Sequence, residues 1–217
     1  MCGIFTVYDS NYKWGSLKES FSKISYRGPD SSSYLYIKNK LIMAFHRLAI
    51  MGITDSGNQP MKHPNEESLT LICNGEIYNY KSLAKKYKFK LLTGSDCVII
   101  LHLFKEVGIE KTIDQLDGVF MFTIYDELND VLYAGRDPMG VRPGFIAKTE
   151  NGTFISSESK PLNKFSKNVV PFPPGSWWRS DNPEKFKRYF YYHSNKSSSD
   201  NENGILENIK SLLTAAV

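Results

Sequence analysis

Short apolar runs dominate the pattern of hydrophobic positions along the chain. They are rich in β-branched and aromatic residues and are separated by Gly, Asn, Asp and Pro, a pattern typical of β-strands joined by turns. The predicted strands are GIFTVYD, SYLYIK, LIMAFHRLAI, LTLICNG, VFMFTIYD, DVLYAGRD and TFISSE. Strands therefore account for most of the predicted secondary structure.

A helical period of hydrophobic positions predicts fewer helices. In SLKESFSKIS, the side chains of Leu17, Phe21 and Ile24 fall on one face. A second helix, SDCVIILHLFKEVG, begins behind a capping Ser95 and ends near Gly108, and a short third follows in EKTIDQLDG. Groups of strands with helices set between them predict an α+β layered fold, with sheet packed on sheet and helices outside.

The C-terminal part of the chain departs from this pattern. Residues 193–204 form a polar, low-complexity stretch that cannot bury a core, so we interpret them as a linker after a domain at 1–192. Residues 205–217 have helical periodicity and end on Ala215, Ala216 and Val217, without a Gly, Asn or Pro to stop the helix. Their shared apolar face consists of Leu206, Ile209, Leu213 and Ala216. We expect 205–217 to be the truncated start of a further domain.

Composition narrows the class of protein. The 217 residues are 41% hydrophobic and 23% charged, as in a globular protein, and no apolar run reaches the ~20 residues of a membrane helix. No secretory signal is recognisable, so we expect a cytoplasmic protein without membrane contact. The net charge of +4 is only mildly basic. We interpret KKYKFK at 85–90 as a solvated helix end running into a strand, and we predict no nucleic-acid partner.

Three cysteines, Cys2, Cys73 and Cys97, lack the spacing of metal ligands, so no metal site is predicted. Cys2 would become the first residue if Met1 were removed. A free α-amine has a pKa of about 7.7 to 8 and a thiol about 8.5, so the amine could take the proton of its own thiol. Cys2 is then either a nucleophile with its own base or a small buried residue at the head of a strand.

A nucleophile that attacks an amide needs donors for the oxyanion. Asn74 has a side-chain NH₂ and Gly75 permits close approach, although Asn-Gly is equally a turn signal. An amino-acid substrate also needs a partner for each charge of its backbone. Arg47 and Asp96 have the right chemistry for this role. They also fit a surface ion pair and a first-turn helix residue, respectively.

The chain contains nine recognisable motifs in this order: MCGIF, YRGPD, HRLAI, NGEIYN, TGSDCVI, LDGVFMFTIYD, GRDPMGVRP, SSESKPL and FPPG. The same motifs occur in the same order in glutamine-hydrolysing asparagine synthetases. The chain therefore resembles the N-terminal glutaminase half of that family from residue 2 to about 192. The resemblance implies an N-terminal nucleophile hydrolase fold, a four-layer sandwich of two antiparallel sheets between helical layers. This agrees with the strand-rich pattern of the sequence.

The resemblance also implies roles for the candidate residues, with L-glutamine as the substrate. Cys2 would attack the side-chain amide and form a thioester, while Asn74 and Gly75 would stabilise the oxyanion. Glu76 would lie beside them in the glutamine pocket. The glutamine α-carboxylate would be held by Arg47 and its α-ammonium by Asp96. The site would be lined by Leu48, Ala49, Ile50 and Met51. YRGPD and GRDPMGVRP are explained by their Gly-Pro and Asp-Pro turns and receive no catalytic role.

The resemblance places the chain in a larger reaction. A C-terminal synthetase domain, absent from these residues, would use ammonia, ATP and magnesium to convert aspartate to asparagine. No cofactor is expected in this chain, and a homodimer is possible. Gly144 and Phe145 follow Pro143 where the family usually has Leu-Tyr, which leaves the local packing open.

Three alternatives remain. The chain could be the glutaminase of another amidotransferase, or a catalytically silent dimerisation or docking module on the same fold. A papain-like Cys-His site is disfavoured because the four histidines form no motif.

Overall fold

The computed structural model of the protein describes residues 1–52, 54–191 and 201–216. Within these residues, twelve strands form two six-stranded sheets in which all neighbouring strands are antiparallel. Sheet A consists of β1 (Gly3–Tyr8), β2 (Ser31–Ile37), β3 (Leu41–Arg47), β8 (Phe145–Thr149), β9 (Gly152–Ser156) and β10 (Val170–Pro171). Its strand order is β10-β8-β9-β1-β3-β2.

Sheet B contains the longest strand of the fold and packs against sheet A. It consists of β4 (Met61–His63), β5 (Glu66–Ile77), β6 (Gly118–Asp126), β7 (Val131–Arg136), β11 (Ser176–Arg179) and β12 (Lys187–Arg188). Its strand order is β12-β11-β7-β6-β5-β4.

The alternation of side chains along the central strands builds three apolar layers. In β1, Ile4 and Tyr8 join the core between the sheets, whereas Phe5 and Val7 join the core on the outer face of sheet A. Both faces of β1 are buried, which explains why its sequence is almost entirely apolar. Each large apolar side chain that is fully buried contributes about 1.5–3 kcal/mol.

Helices cover the outer faces of both sheets. Helix α1 (Trp14–Ser22) packs on sheet A through Leu17 and Phe21. Helices α2 (Tyr80–Tyr87) and α3 (Val98–Gln115) pack on sheet B. The predicted break near Gly108 is confirmed, because Gly108 has a φ of +73° that interrupts the regular helix. The predicted four-layer sandwich of helices, two antiparallel sheets and helices is therefore present.

Some local predictions were incomplete or wrong. The helix end at 85–90 is the end of α2, but the strand predicted after it is not formed, since the described residues 88–92 adopt no strand. The sequence pattern missed the short edge strands β4, β10 and β12 and the strands β8 and β11. The predicted helix at 205–217 corresponds to α4 (Glu202–Ala216), which begins three residues earlier.

Part of the predicted linker, residues 193–200, lies outside the described residues. The boundaries proposed at 192 and 204 stay predictions. Three of the predicted apolar positions on α4 are exposed, namely Leu206, Ile209 and Leu213. Within the described residues, no helix combines the length and the apolar character needed to cross a membrane.

Candidate active site

One cavity gathers the start of β1, the segment after β3, the end of β5 and the start of α3. Antiparallel pairing of Gly3 with His46 brings the first residues of the chain beside the end of β3. Most of the predicted site residues line this cavity: Cys2, Arg47, Leu48, Ile50, Met51, Asn74, Gly75, Glu76 and Asp96. Residues far apart in sequence are thus brought to one site by the strand order of the two sheets.

The Cys2 thiol is held against the segment that follows β3. Its Sγ donates to the Leu48 carbonyl at 3.6 Å, and the Leu48 N–H donates to Sγ at 3.4 Å. Burial raises the pKa of the Cys2 thiol, and the hydrogen bond with Leu48 offsets part of that effect. Without a base, the thiol is therefore a weak nucleophile near neutral pH.

Arg27 anchors the backbone of the same cysteine. Its Nε donates to the Cys2 carbonyl at 3.0 Å, and its Nη1 pairs with Glu158 at 3.0 Å. Arg27 belongs to the YRGPD motif, which the sequence explained only as a turn. The motif therefore contributes directly to the placement of Cys2. Met1 also lines the cavity, so its removal would enlarge the opening beside the thiol.

The Asn74 side chain is the clearest polar group available to a ligand. Asn74 is 1% exposed, and its Nδ2 has no hydrogen-bond partner among the described residues. A buried donor of this kind is costly unless something binds to it. Next to it, a Cβ on Gly75 would lie 2.5 Å from the Val119 carbonyl oxygen, so the tight pairing of β5 with β6 requires glycine at this position.

Two carboxylates flank these donors. Asp96 is 5% exposed and its Oδ2 accepts the Ile77 N–H at 2.6 Å. Burial raises the pKa of the Asp96 carboxyl, and the hydrogen bond from Ile77 opposes that rise. Glu76 forms an ion pair with Arg142 at 3.1 Å between Oε1 and Nη2.

Some N–H donors of the Arg47 guanidinium already form hydrogen bonds with the loop after β3. It donates to the Asn58 Oδ1 at 2.6 Å, to the Thr54 carbonyl at 3.1 Å and to the Gly52 carbonyl. These contacts use three of the five N–H donors of a guanidinium. The remaining donors leave capacity for an anionic group in the cavity.

Ala49 differs from the other predicted pocket residues. Leu48, Ile50 and Met51 line the cavity, but Ala49 is not among the described residues that do so. The Ala49 N–H instead donates to Asp30 Oδ2 at 2.7 Å. Asp30, like Arg27, belongs to YRGPD. This motif therefore holds the segment after β3 as well as Cys2.

Several cavity residues were not identified from the sequence. Arg142 lies in GRDPMGVRP, where its contact with Glu76 depends on tertiary structure and has no local signature. Gln59, Cys73, Ser95 and Cys97 also line the cavity. Ser95 was predicted as the cap of the helix, but the N-cap of α3 is Cys97, whose N–H donates to the Ser95 Oγ at 3.3 Å.

The combined chemistry suits attack on an amide carbonyl. A thiol and an amide donor that lacks a partner within the described part of the chain line the same cavity. A guanidinium and two carboxylates complement the opposite charges of an amino-acid backbone. The predicted roles of Cys2, Arg47, Asn74, Gly75, Glu76 and Asp96 are compatible with these positions and stay predictions.

Comparison with known proteins agrees with this arrangement. The sequence model of the family described as "Glutamine amidotransferase domain" matches residues 1–217. The Mus musculus protein named asparagine synthetase (glutamine-hydrolyzing) is 40% identical over 175 residues, which cover 79% of this chain and 31% of that protein. Asparagine synthetase B (glutamine-hydrolyzing) of Escherichia coli strain K12 is 35% identical over 201 residues, covering 89% of this chain and 35% of that protein.

A solved structure supports the fold. Glutamine phosphoribosylpyrophosphate amidotransferase from B. subtilis superposes with a TM-score of 0.74 at 19% identity, covering 88% of this chain and 50% of that one. The chain spans about a third of the length of the mouse and E. coli relatives. The family predicted from the nine motifs is confirmed by the match over residues 1–217, and the chain belongs to the glutamine amidotransferase domain family.

Proposed function

We propose that this chain hydrolyses L-glutamine to glutamate and ammonia, with Cys2 as the nucleophile once Met1 is removed. The observation that carries the proposal is that Asn74 and Cys2 line the same cavity and that the buried Nδ2 of Asn74 lacks a hydrogen-bond partner in the described part of the structure. A donor kept free beside a nucleophile is suited to an oxyanion that forms only during reaction.

The proposed reaction has two steps. The Cys2 α-amine takes the thiol proton, and Sγ attacks the side-chain carbonyl carbon of glutamine. The C–N bond then breaks, the amide nitrogen takes the proton and leaves as ammonia, and a thioester remains. Water attacks the thioester, releases glutamate and returns the proton to sulfur.

The remaining residues bind and orient the substrate in this proposal. Asn74 Nδ2 and the Gly75 N–H stabilise the oxyanion. Arg47 holds the glutamine α-carboxylate through its remaining donors, and Asp96 with Glu76 holds the α-ammonium. Asp96 must be ionised for this role, which is unfavourable for a buried carboxyl without a cation. The substrate ammonium would supply that cation.

The relatives suggest a destination for the ammonia. We propose that the chain supplies it to a synthetase domain for the ATP- and magnesium-dependent conversion of aspartate to asparagine. The support is the similarity to two proteins named asparagine synthetase, of which this chain covers about a third. ATP and magnesium would be bound by the synthetase domain. Domain 1–192, linker 193–204 and the start of a second domain at 205–217 remain part of this proposal.

Glutamate release from glutamine tests the glutaminase function. The purified chain is compared with Cys2→Ala and with Cys73→Ala, a control that alters a more deeply buried cysteine of the same cavity. We expect Cys73→Ala to keep activity and Cys2→Ala to lose it. Equal loss in both variants, or no loss in Cys2→Ala, would reject Cys2 as the nucleophile. No release by any form would favour the silent docking module.

A further inference from the structure

Gln59 is a buried residue of the cavity wall whose two side-chain polar atoms both contact one residue of β5. Its Oε1 accepts the Cys73 N–H at 2.6 Å, and its Nε2 donates to the Cys73 carbonyl at 3.1 Å. Gln59 is 6% exposed and Cys73 is 1% exposed. The carboxamide thus presents the same acceptor and donor as a backbone peptide group of a neighbouring strand.

The register of sheet B explains why a side chain is needed here. Strand β4 pairs Met61 with Leu71, and two residues further along the same register Gln59 would face Cys73. The backbone ladder of β4 stops at Met61, and the preceding Pro60 has no N–H to donate. The Gln59 carboxamide therefore continues the hydrogen bonding of β4 by one more pair, at Cys73.

Two further contacts fix Gln59 and its partner. The Gln59 carbonyl accepts the Ser33 hydroxyl of β2, so Gln59 connects sheet A with sheet B beside the cavity. On its other side, Cys73 pairs with Phe122 of β6. Because the N–H and the carbonyl of Cys73 both bond to Gln59, the carboxamide holds the backbone of β5 at the residue immediately before Asn74.

We propose that Gln59 is a positioning residue for the oxyanion donors Asn74 and Gly75, an inference that rests on the proposed glutaminase function. Asn74 Nδ2 has no partner within the residues described, so no side-chain hydrogen bond from that atom fixes its direction. Its position is instead set by the backbone of β5. Losing the Gln59 contacts leaves two buried backbone groups of Cys73 without partners and frees the strand at this point.

Substitution of Gln59 tests the role in catalysis. Gln59→Leu keeps a similar volume and removes both hydrogen bonds. The control is Gln115→Leu, because the half-buried Gln115 bonds to Lys86 and Tyr87 where α2 meets α3, among residues that do not line the cavity. We expect Gln59→Leu to lower kcat about tenfold or more with KM changed less than about threefold, because the donors act mainly in the transition state. An unchanged kcat, or an equal loss in the control, would overturn the proposal.

The Gln59→Glu variant gives a pH signature that a purely structural role would not produce. An ionised carboxylate accepts the Cys73 N–H but repels the Cys73 carbonyl, whereas a neutral carboxylic acid accepts and donates as glutamine does. Burial raises the pKa of a carboxyl, so the neutral form is accessible at mildly acidic pH. We expect kcat of Gln59→Glu, relative to Gln59→Leu or to wild type, to rise as pH falls. A ratio independent of pH would contradict the proposal.

Hydrogen exchange of the backbone amides separates this inference from the proposed function. In Gln59→Leu, or in Gln59→Glu at neutral pH if Gln59→Leu does not fold, exchange should accelerate at the amides of Cys73 and Asn74. Gln115→Leu should leave these amides protected. If exchange accelerates in the variant but the wild-type chain releases no glutamate, only the proposed glutaminase function is rejected. Unchanged exchange at both residues would reject the role of Gln59.

Discussion

At the residue scale, we expect the Asn74 side chain to contribute to catalysis and little to stability. Its Nδ2 makes no hydrogen bond within the described residues, so truncation removes no stabilising contact of that atom. We expect Asn74→Ala to lower kcat for glutamate release about 10²–10³-fold, the typical loss for one oxyanion donor. Its melting temperature should stay close to that of wild type.

Asn79 is the matched control for this experiment. Its side chain donates to the Gln115 carbonyl at 2.8 Å and accepts the Asp117 N–H at 3.1 Å, outside the cavity. Asn79→Ala should lose about 1–3 kcal/mol of unfolding free energy and keep kcat. If Asn74→Ala instead unfolds more readily than Asn79→Ala and retains kcat, Asn74 is a structural residue.

Asp96 should stabilise the fold less as pH rises. Burial raises its pKa above the unfolded value of about 3.9, so its favourable contribution is present at low pH and is lost as pH rises through the folded pKa. Asp96→Asn keeps an acceptor for the Ile77 N–H and removes the buried charge. We expect its unfolding free energy to exceed that of wild type at pH 7 and the difference to shrink toward pH 4.

The same substitution should weaken substrate binding, since the α-ammonium loses its carboxylate partner. Denaturant titrations between pH 4 and pH 8, paired with KM for glutamine, measure both effects. An Asp96→Asn protein that is less stable at neutral pH, with an unchanged KM, would show that the carboxylate is structural.

At the element scale, the contact between β4 and α3 contains a buried histidine pair. The His63 Nδ1 accepts the Asn65 N–H at 3.2 Å, so neutral His63 carries its proton on Nε2 and donates to His102 Nδ1 at 3.1 Å. Burial, together with the neighbouring His102, lowers the pKa of His63 to about 4. Protonation of His63 would place a second donor, the Nδ1–H, against the Asn65 N–H, and this hydrogen bond would be lost.

We therefore expect the unfolding free energy to fall as pH drops from about 6.5 toward 4, because stability present above the unfolded pKa is lost as the folded pKa is approached. A His63→Gln, His102→Gln double variant should show a smaller loss over this range. Chemical denaturation at several pH values measures it. An identical pH dependence in wild type and double variant would contradict the assignment.

The accuracy of sequence prediction also differed among elements. Long central strands such as β1 and β6 were predictable because both faces are buried and their apolar runs are long. The two-residue strands β10 and β12 exist only through their partners and have no pattern of their own. In the site, the chemistry of Cys2 and Asn74 made them candidates, and the roles that the resemblance implies for them stay predictions. Gln59 and Arg142 were not candidates, since their contacts depend on strand register and on residues distant in the sequence.

At the scale of the whole molecule, the packing between the sheets explains why glycine is accommodated at position 144, where the family usually has leucine. A Cβ at Gly144 would lie 2.6 Å from the Met121 Sδ, and Met121 is fully buried between the sheets. The Met121 side chain thus occupies the space next to Gly144. The local packing left open by the sequence is explained by this contact.

Gly144→Leu should therefore overpack the core and lower the unfolding free energy by about 1–3 kcal/mol. Met121→Ala removes the side chain that fills this space. The double variant should therefore lose less unfolding free energy than the sum of the losses in the two single variants. Thermal unfolding of the two single variants and the double variant measures the coupling. Simple additivity of the two losses would show that these side chains do not compete for one space.

The proposed action of Cys2 as an N-terminal nucleophile is tested most directly by comparing two preparations of the same chain. One retains Met1 and the other lacks it, with each state verified by intact mass, and glutamate release from glutamine is recorded for both. With Met1 present, the α-amine belongs to the wrong residue and Met1 lines the cavity. We predict that glutamate is released only by the Met1-free chain. Equal release by the Met1-bearing chain would contradict the mechanism.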